Sequence, residues 1–328
     1  MKIVTVTLNP CIDWQYSVQK YTHGGLNRIC RTREDVAGKG INVAVALKNL
    51  GAEPICTGFN FAKNGALLAQ KLDALEISHD FVEVPGEIRT NIKLYDESTG
   101  EMTELNQPGA FVAQEFQSAL LQKIKTAAPD ILVLSGSRPE GVPADFYAEI
   151  ARVAGKTVFL DTEGDALRKA IATGKIFAIK PNLFEFEAVF GSLDKFQTSE
   201  NSFVANAPEK PARASSENAQ KDANEVHSPL PAISPVLKGV RCVCVSMGAA
   251  GAVMLTPNGR TFAPALDVEV RGVVGAGDAM VAGMVYAFMR GLPESEFLRY
   301  ATAAAAASVT LDGTQMCIRE GFEAMLAK

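Results

Sequence analysis

The order of strand-like and helix-like segments is the feature that most restricts the fold of this chain. Apolar runs of strand length alternate with segments that have helical spacing. The strand-like runs include residues 3–8, 131–134, 157–160 and 242–245, and the helical segments include 41–49, 116–126 and 146–154. Repeated β-α-β order predicts one mainly parallel sheet with helices on both faces. Ligands are then expected at the carboxyl ends of the strands.

Composition and charge exclude several classes of protein. The 328 residues are 47% hydrophobic, enough for a sizeable core, and the formal net charge is -5. Such an acidic chain is not expected to bind nucleic acid or an anionic membrane surface. No apolar run reaches membrane-spanning length, and residues 1–7 alternate like a strand and do not resemble a signal peptide. The six cysteines are scattered without zinc-ligand spacing, which predicts a reducing, cytoplasmic location.

A two-glycine turn, Gly275-Ala276-Gly277-Asp278, follows the β-branched segment 268–274 and precedes a run of small residues with helical character. The pattern predicts a strand, a tight turn and a helix start. Glycines let backbone amides approach a ligand, and a helix N-terminus favours an anion. Asp278 places a carboxylate beside this turn, the combination that phosphoryl transfer to a sugar hydroxyl requires. A helix N-cap aspartate is the structural alternative.

Four further segments, in order along the chain, match motifs of one family. They are Thr7-Leu8-Asn9-Pro10-Cys11-Ile12-Asp13, Ala37-Gly38-Lys39-Gly40-Ile41-Asn42-Val43-Ala44, Lys180-Pro181-Asn182-Leu183-Phe184-Glu185 and Val245-Ser246-Met247-Gly248-Ala249-Ala250-Gly251-Ala252. Together with the turn at 275–278, they resemble the PfkB branch of the ribokinase-like carbohydrate kinases over essentially the whole chain. Five ordered motifs are far more specific than any single glycine pattern.

The resemblance implies a ribokinase-like three-layer α/β/α fold with a mainly parallel central sheet and a small β lid, in one kinase domain over residues 1–328. The lid strands fall at about 12–36 and 88–107, where polar and apolar residues alternate as in a half-exposed antiparallel sheet. In the family such strands cover the sugar site, and in some members they form a homodimer interface; ordinary surface hairpins are the alternative. Residues from about 197 to 235 are poor in large apolar side chains and predict a mobile insertion.

The resemblance also assigns the catalytic turn. Asp278 would be the base, ionised at neutral pH with an ordinary carboxylate pKa near ~4. The three amides of Ala276, Gly277 and Asp278, in the turn that begins at Gly275, would form the anion hole. Two positions depart from the family pattern, Val273 for a threonine and Ala279 for a serine. The base and the glycines remain, so we interpret both changes as tuning.

ATP and Mg²⁺ are the implied cofactors. Asn182 and Glu185 form the family's Asn-x-x-Glu pattern, whose side chains lie on one helical face and hold water on the Mg²⁺ that bridges the nucleotide phosphates. A capping box is the structural alternative for this pair. Lys180 would face phosphate. The nucleotide site would also be lined by Ser246, Gly248 and Gly251, where hairpin glycines required by the backbone are the alternative.

The acceptor sugar is expected to carry a phosphate of its own. Lys39 in Gly-Lys-Gly and Arg89 in Arg-x-Asn-x-Lys are typical of the subgroup of 1-phosphofructokinases and tagatose-6-phosphate kinases, and cations suit an acceptor phosphate. Ser137 matches that subgroup's Ser-Gly-Ser-Leu-Pro turn. The sugar itself would meet the family positions Asp13, Gly38 and Asn42. Solvated surface charges are the alternative for the two basic residues.

ATP-dependent phosphorylation of a ketohexose phosphate is therefore the expected activity, with fructose 1-phosphate as the first choice of acceptor. Tagatose-6-phosphate kinase and 6-phosphofructokinase activities stay open, because either end of the sugar can meet Lys39 and Arg89. Two further candidates are a non-catalytic sugar-phosphate-binding protein and a nucleoside or ribose kinase. The retained Asp278, Asn182 and Glu185 argue against the binding protein, and the two cations argue against the nucleoside or ribose kinase.

Overall fold

The structure, a computed structural model, describes residues 1–196, 237 and 239–328, so the insertion predicted at about 197–235 lies outside the described residues. The strands are β1 (Ile3–Thr7), β2 (Cys11–Val18), β3 (Ile29–Ala37), β4 (Pro54–Phe61), β5 (Ser78–His79), β6 (Val82–Val84), β7 (Arg89–Asp96), β8 (Met102–Asn106), β9 (Ile131–Ser135), β10 (Thr157–Asp161), β11 (Ile176–Ile179), β12 (Cys242–Ser246), β13 (Ala252–Thr256) and β14 (Gly259–Ala263). The helices are α1 (Lys39–Asn49), α2 (Ala66–Ala74), α3 (Gln114–Ala127), α4 (Phe146–Ala154), α5 (Gly164–Ile171), α6 (Leu183–Phe190), α7 (Ala276–Met289), α8 (Glu294–Val309) and α9 (Arg319–Leu326). Among the described helices, none is long and apolar enough to cross a membrane.

Ten of the described strands form the main sheet, in the order β14-β13-β12-β11-β10-β9-β1-β4-β5, with β6 also paired to β4. The pairs from β5 to β12 are parallel, and β12, β13 and β14 form an antiparallel edge. Alternate side chains enter two apolar cores, as Val4 and Val6 enter one core and Ile3 the other. Helices α2 to α6 cover the first core and α7 to α9 the second, while α1 contributes to both. The predicted three-layer α/β/α fold is confirmed.

The remaining four strands form the small sheet, in the order β3-β2-β7-β8. The β2–β3 and β7–β8 pairs are antiparallel hairpins, as predicted, but β2 and β7 pair in parallel from Cys11 with Arg89 to Val18 with Asp96. The prediction of an antiparallel sheet is therefore wrong at its centre. Each hairpin leaves the carboxyl edge of the main sheet on its first strand and returns on its second. The two outgoing strands consequently run in the same direction where they meet.

The segment at 268–274, before the two-glycine turn, is irregular, so the strand predicted there is wrong. Arg271 and Gly272 donate their backbone N–H groups to the carbonyl of Val309, at the end of α8. Val270 and Val273 are 59% and 68% exposed. The backbone of this segment bonds to the end of α8 and does not join a sheet, and β-branched composition alone does not make a strand.

Candidate active site

A cavity of about 500 Å³ lies between the carboxyl edge of the main sheet and the small sheet. Its volume is within the usual range of small-molecule sites. The cavity is lined from the main sheet by residues at the ends of β1, β9 and β10, and from the small sheet by Arg89, Glu104 and Asn106. Four residues predicted for the site line it together, namely Lys39, Arg89, Ser137 and Glu185. The carboxyl-edge position that was predicted for ligands is therefore the position of this cavity.

The two-glycine turn begins α7 and leaves two backbone donors unused. Gly275 is the N-cap residue, with a φ of 82° that favours glycine, and Asp278 lies in the first helical turn and not at the N-cap. The N–H of Ala276 donates to the carbonyl of Val273 at 3.3 Å. The N–H groups of Gly277 and Asp278 have no acceptor among the described residues. Two amides, and not the three predicted, are thus free to bind an anion at this helix N-terminus.

Asp278 is buried beside this turn. It is 5% exposed, and the side-chain amide of Asn42 donates to its Oδ2 at 2.8 Å. Burial raises the pKa of Asp278 to about 6, the charge of Lys39 opposes the rise, and the charge of Asp161 adds to it. The expectation of an ordinary carboxylate pKa is therefore wrong. Since the sequence gives no measure of burial, the pattern around Asp278 could not predict this shift.

Asp161, at the end of β10, was missed by the sequence analysis. It is 2% exposed and lies between two predicted site residues. Lys39 Nζ is 3.3 Å from its Oδ2, and Lys180 Nζ is 3.7 Å from its Oδ1. Burial opposes ionisation of Asp161, but the two ammonium groups outweigh it and lower its pKa, and Asp161 in turn raises the pKa of Lys39. The one sequence signal was its position directly after a predicted strand.

Asp13 is held within the small sheet by three donors. Its Oδ1 accepts from Asn91 Nδ2 at 2.9 Å and from Cys11 Sγ at 3.2 Å, and its Oδ2 accepts from Lys93 Nζ. Asp13 and Lys93 are both buried. A carboxylate offers about four lone-pair positions, so roughly one stays free for a ligand hydroxyl. Lys93 stands in the predicted Arg-x-Asn-x-Lys segment, but the sequence analysis gave it no role of its own.

Arg89 and Ser137 face the cavity from opposite sheets. Arg89 donates from one terminal nitrogen to the carbonyl of Gln107 at 3.1 Å, while its buried Nε has no partner among the described residues. Ser137 accepts from Asn9 Nδ2 at 3.2 Å. Gly38 is the N-cap residue of α1 and so places Lys39 at the first helical position. The structure therefore brings the predicted phosphate ligands together around one cavity.

The predicted nucleotide residues occur at neighbouring strand ends. Asn182 and Glu185 form a capping box at the start of α6, in which Asn182 Oδ1 accepts from the N–H of Glu185 at 2.8 Å and Glu185 Oε2 accepts from the N–H of Asn182 at 2.9 Å. Ser246 donates its N–H to the carbonyl of Pro181 at 3.1 Å and so adjoins Asn182. Gly248 and Gly251, with φ of 57° and 99°, shape the turn that follows. These two glycines and Ser246 do not line the cavity.

A directly bound metal is not what this donor set suggests. In the described parts of the chain, no group of three or more His, Cys, Asp or Glu side chains could hold a metal ion. Mg²⁺ at a nucleotide usually keeps several waters and needs only one or two carboxylates in addition to phosphates. Glu185 lines the cavity and uses only one carboxylate oxygen in the capping box. Its other oxygen fits a hydrated Mg²⁺.

Buried polar atoms without hydrogen-bond partners concentrate around the cavity. Among the described residues they are Thr7 Oγ1, Asn9 Oδ1, Arg89 Nε, Asn91 Oδ1, Ser135 Oγ and Asp161 Oδ1. Four of these residues line the cavity, and Asn91 and Asp161 hydrogen-bond or pair with Asp13 and Lys39 beside it. Leaving one such atom unpaired costs about 1–3 kcal/mol. Their concentration in one place indicates a site built for a polar ligand.

Comparison with known proteins gives consistent matches. The family model of the pfkB family carbohydrate kinases matches residues 6–320. A 1-phosphofructokinase of Rhodobacter capsulatus is 33% identical over 309 residues, which cover 92% of this chain and 89% of that protein. A tagatose-6-phosphate kinase of Staphylococcus epidermidis is 28% identical over 92% of this chain and 90% of that protein. The solved structure of phosphofructokinase-2 from Escherichia coli in complex with substrates and products is 24% identical, with a TM-score of 0.82 over 100% of this chain and 99% of that one.

Proposed function

The chain belongs to the pfkB family of carbohydrate kinases, and from that premise we propose that it transfers the γ-phosphoryl group of ATP to a hydroxyl of a ketohexose phosphate. Fructose 1-phosphate is the proposed acceptor and fructose 1,6-bisphosphate the product. The 1-phosphofructokinase of Rhodobacter capsulatus supports this choice, since it is more similar than the tagatose-6-phosphate kinase of Staphylococcus epidermidis. Tagatose 6-phosphate and fructose 6-phosphate are the competing acceptors.

In this proposal Asp278 is the base. It takes the proton of the acceptor hydroxyl as the hydroxyl oxygen attacks the γ-phosphorus, and the bond from that phosphorus to the β–γ bridging oxygen breaks as ADP leaves. The hydrogen bond from Asn42 fixes the orientation of the carboxylate. The free amides of Gly277 and Asp278, exposed by the turn through Gly275 and Ala276, stabilise charge on the transferred group.

The acceptor phosphate binds in the cavity. Lys39 approaches it from the start of α1, Arg89 approaches it from the small sheet, and Ser137 adds a hydroxyl from the loop after β9. Charge-assisted hydrogen bonds of this kind are about twice as strong as neutral ones. The remaining lone pair of Asp13 accepts from a sugar hydroxyl. A Cβ on Gly38 would lie 2.7 Å from Thr7 Cγ2, so this glycine lets α1 begin close against the end of β1 beside the cavity.

The nucleotide binds beside α6. Its phosphates extend from Lys180 toward Asn182, and Ser246, Gly248 and Gly251 flank the nucleoside. Mg²⁺, held through water by Asn182 and Glu185, would neutralise charge on the phosphates. The capping box serves the same end, because it fixes both side chains at the helix start.

The small sheet is also proposed as a homodimer interface. The side chains of Trp14, Ile92 and Leu105 form one cross-strand row, on the opposite face of the small sheet from Asp13 and Lys93. Leu105 is 61% exposed, and Trp14 stacks on Tyr16 with ring centroids 6.0 Å apart. Sedimentation of the wild type and Leu105→Lys tests the interface.

A reducing cytoplasm is the proposed compartment, as all six cysteines are free.

One observation carries the proposal most strongly: a buried carboxylate, Asp278, stands at a helix N-terminus with two unused amides and within the electrostatic influence of Lys39, which lines the cavity together with Arg89. A non-catalytic binding protein has no need of that carboxylate. The position suits a base that meets a hydroxyl and a phosphoryl group at once.

A coupled assay of ADP release tests the function. The purified protein is incubated with ATP and Mg²⁺ and offered fructose 1-phosphate, tagatose 6-phosphate, fructose 6-phosphate, fructose, ribose or adenosine. We expect the highest kcat/KM for fructose 1-phosphate. Faster turnover of tagatose 6-phosphate or fructose 6-phosphate would replace the acceptor, and faster turnover of ribose or adenosine would overturn the assignment. Binding of ATP without turnover of any acceptor would favour a non-catalytic protein.

A further inference from the structure

Asp161 lies between the ammonium groups of Lys39 and Lys180, which occupy different parts of the site. Its side chain is 1% exposed, Lys39 lies against one carboxylate oxygen and Lys180 against the other. Lys39 lines the cavity that contains Arg89. Lys180, whose side chain is 5% exposed, leads instead to the two-glycine turn.

The position of Lys180 explains the second glycine of that turn. A Cβ on Gly277 would lie 3.1 Å from Lys180 Nζ and 3.4 Å from its Cε. The φ of Gly277 is outside the left-handed region, so the backbone alone does not require glycine there. The missing side chain therefore leaves space for the ammonium beside the free amides of Gly277 and Asp278.

Asp161 does not have the geometry of a pair that only stabilises the fold. Its Oδ1 is 3.7 Å from Lys180 Nζ and has no hydrogen-bond partner among the described residues. A closed ammonium–carboxylate hydrogen bond would measure about 2.7–2.9 Å. A buried ion pair is in any case weak evidence for stability. A negative charge at a site for phosphates also opposes binding of those phosphates, so its presence needs another reason.

We propose that Asp161 is a positioning residue that anchors Lys39 on the acceptor-phosphate side and Lys180 on the transferred-phosphoryl side, and so aligns the two phosphate sites with each other. This inference rests on the proposed function. Asp161 itself touches neither substrate. Its single carboxylate fixes both ammonium groups at the end of β10, a central strand of the main sheet.

The main test is Asp161→Asn, with binding measured by calorimetry for fructose 1-phosphate alone and for ATP alone. We expect each ligand to bind about tenfold more weakly, the scale of one charge-assisted hydrogen bond lost through misalignment. If Asp161 only cancelled charge, the variant would gain positive charge at the site and both ligands would bind more tightly. Tighter binding, unchanged binding or weaker binding of only one ligand would each contradict the proposal that Asp161 positions both lysines.

A double-mutant cycle separates the effect of Asp161 through Lys39 from its effect through Lys180. In a Lys39→Met background, Asp161→Asn should have little further effect on binding of fructose 1-phosphate, because the lysine through which Asp161 acts is gone, while its effect on binding of ATP should remain about tenfold. Fully additive losses for fructose 1-phosphate would contradict the proposal.

The matched control is Asp130→Asn, since Asp130 also pairs with a lysine, Lys156, but lies before β9 at the opposite edge of the main sheet. This control should bind both ligands like the wild type.

If Asp161→Asn does not fold, Asp161→Glu keeps the charge and moves the carboxylate by one methylene. This variant should bind both ligands more weakly at a near-native Tm. Failure of the wild type to phosphorylate any sugar phosphate would refute the proposed function, whereas the variants' binding relative to wild type decides the anchor.

Discussion

The main sheet and the small sheet line the same cavity but differ in how deeply their side chains are buried. Asp161 and Lys180 extend from strands whose side chains fill two apolar cores, and both are almost fully buried. In the small sheet, β8 is exposed along its whole length and β3 along most of its length. A region with few buried contacts opens at lower free energy than a packed core. The main sheet is thus suited to hold the geometry of transfer, and the small sheet to admit and release the acceptor.

Asp13 and Lys93 qualify this contrast. They form a buried ion pair inside the small sheet, where most other polar side chains meet water. Breaking such a pair by removing one partner leaves a buried charge uncompensated. The centre of the small sheet is therefore held by buried polar contacts, while those of the outer strand β3, such as Arg33 with Asp35, are partly exposed. Under the proposed function, acceptor recognition combines a buried, fixed carboxylate, Asp13, with a rim of exposed strands.

The largest expected effect concerns the transfer step, whose proposed base Asp278 is held by α7 against the main sheet. Asp278→Asn should lower kcat by about 10²–10⁴-fold, the usual contribution of a general base. Binding of ATP, measured by calorimetry, should stay near the wild-type value, because the amides of the turn remain. A variant that keeps a third of the wild-type kcat would remove Asp278 from the role of base.

The second largest effect is expected from substitutions of the two proposed ligands of the acceptor phosphate. Lys39→Gly and Arg89→Ala each remove a charge-assisted hydrogen bond to phosphate, worth roughly 1.5–3 kcal/mol, so kcat/KM for fructose 1-phosphate should fall about 10–150-fold. KM for ATP should change little. Lys48→Gly, in the last turn of the same helix α1, is the control for the loss of a lysine and for a glycine in the helix. A control that loses as much activity as Lys39→Gly would make the effect structural.

A smaller effect concerns the stability cost of the buried base. Burial raises the pKa of Asp278 to about 6. Between about pH 4 and 6 the folded protein holds a proton that the unfolded chain has lost, so the free energy of unfolding falls as the pH rises through this window. Asp278→Asn removes that loss and should raise the free energy of unfolding by about 1–3 kcal/mol near pH 7.5. Urea titrations near pH 7.5 and below pH 4 check it; an equal gain at both pH values would point to another cause.

The smallest effect is expected outside both regions. Replacing residues 200–230 by a short Gly/Ser join should leave kcat within a few-fold of the wild type. The reason is composition, since this stretch is poor in large apolar residues, and closure entropy depends only logarithmically on loop length. Solubility and the coupled assay give the measurement. Insoluble or inactive product would show that the segment packs against the rest of the chain.

Ordered motifs predicted much of the fold and part of the site. The turn at 275–278 and the motifs with Lys39 and Asn182 were found because several residues at fixed spacing carry the signal. Asp161 and Lys93 have partners 122 and 80 positions away, and no local pattern records such pairs. The strand predicted at 268–274 failed for a related reason: strand formation depends on a neighbouring strand, which only the folded sheet supplies. The raised pKa of Asp278 likewise depends on burial created by distant elements.

The ratio of kcat/KM for fructose 1-phosphate to kcat/KM for fructose tests the central claim most directly, because it separates acceptor recognition from transfer. Asp278→Asn should lower both values together and leave the ratio near that of the wild type, since the base acts on either acceptor. Arg89→Ala should lower the ratio by about 10–150-fold, since only the phosphorylated sugar loses a contact. An unchanged ratio in Arg89→Ala, or a collapsed ratio in Asp278→Asn, would contradict the division of work between the two sheets.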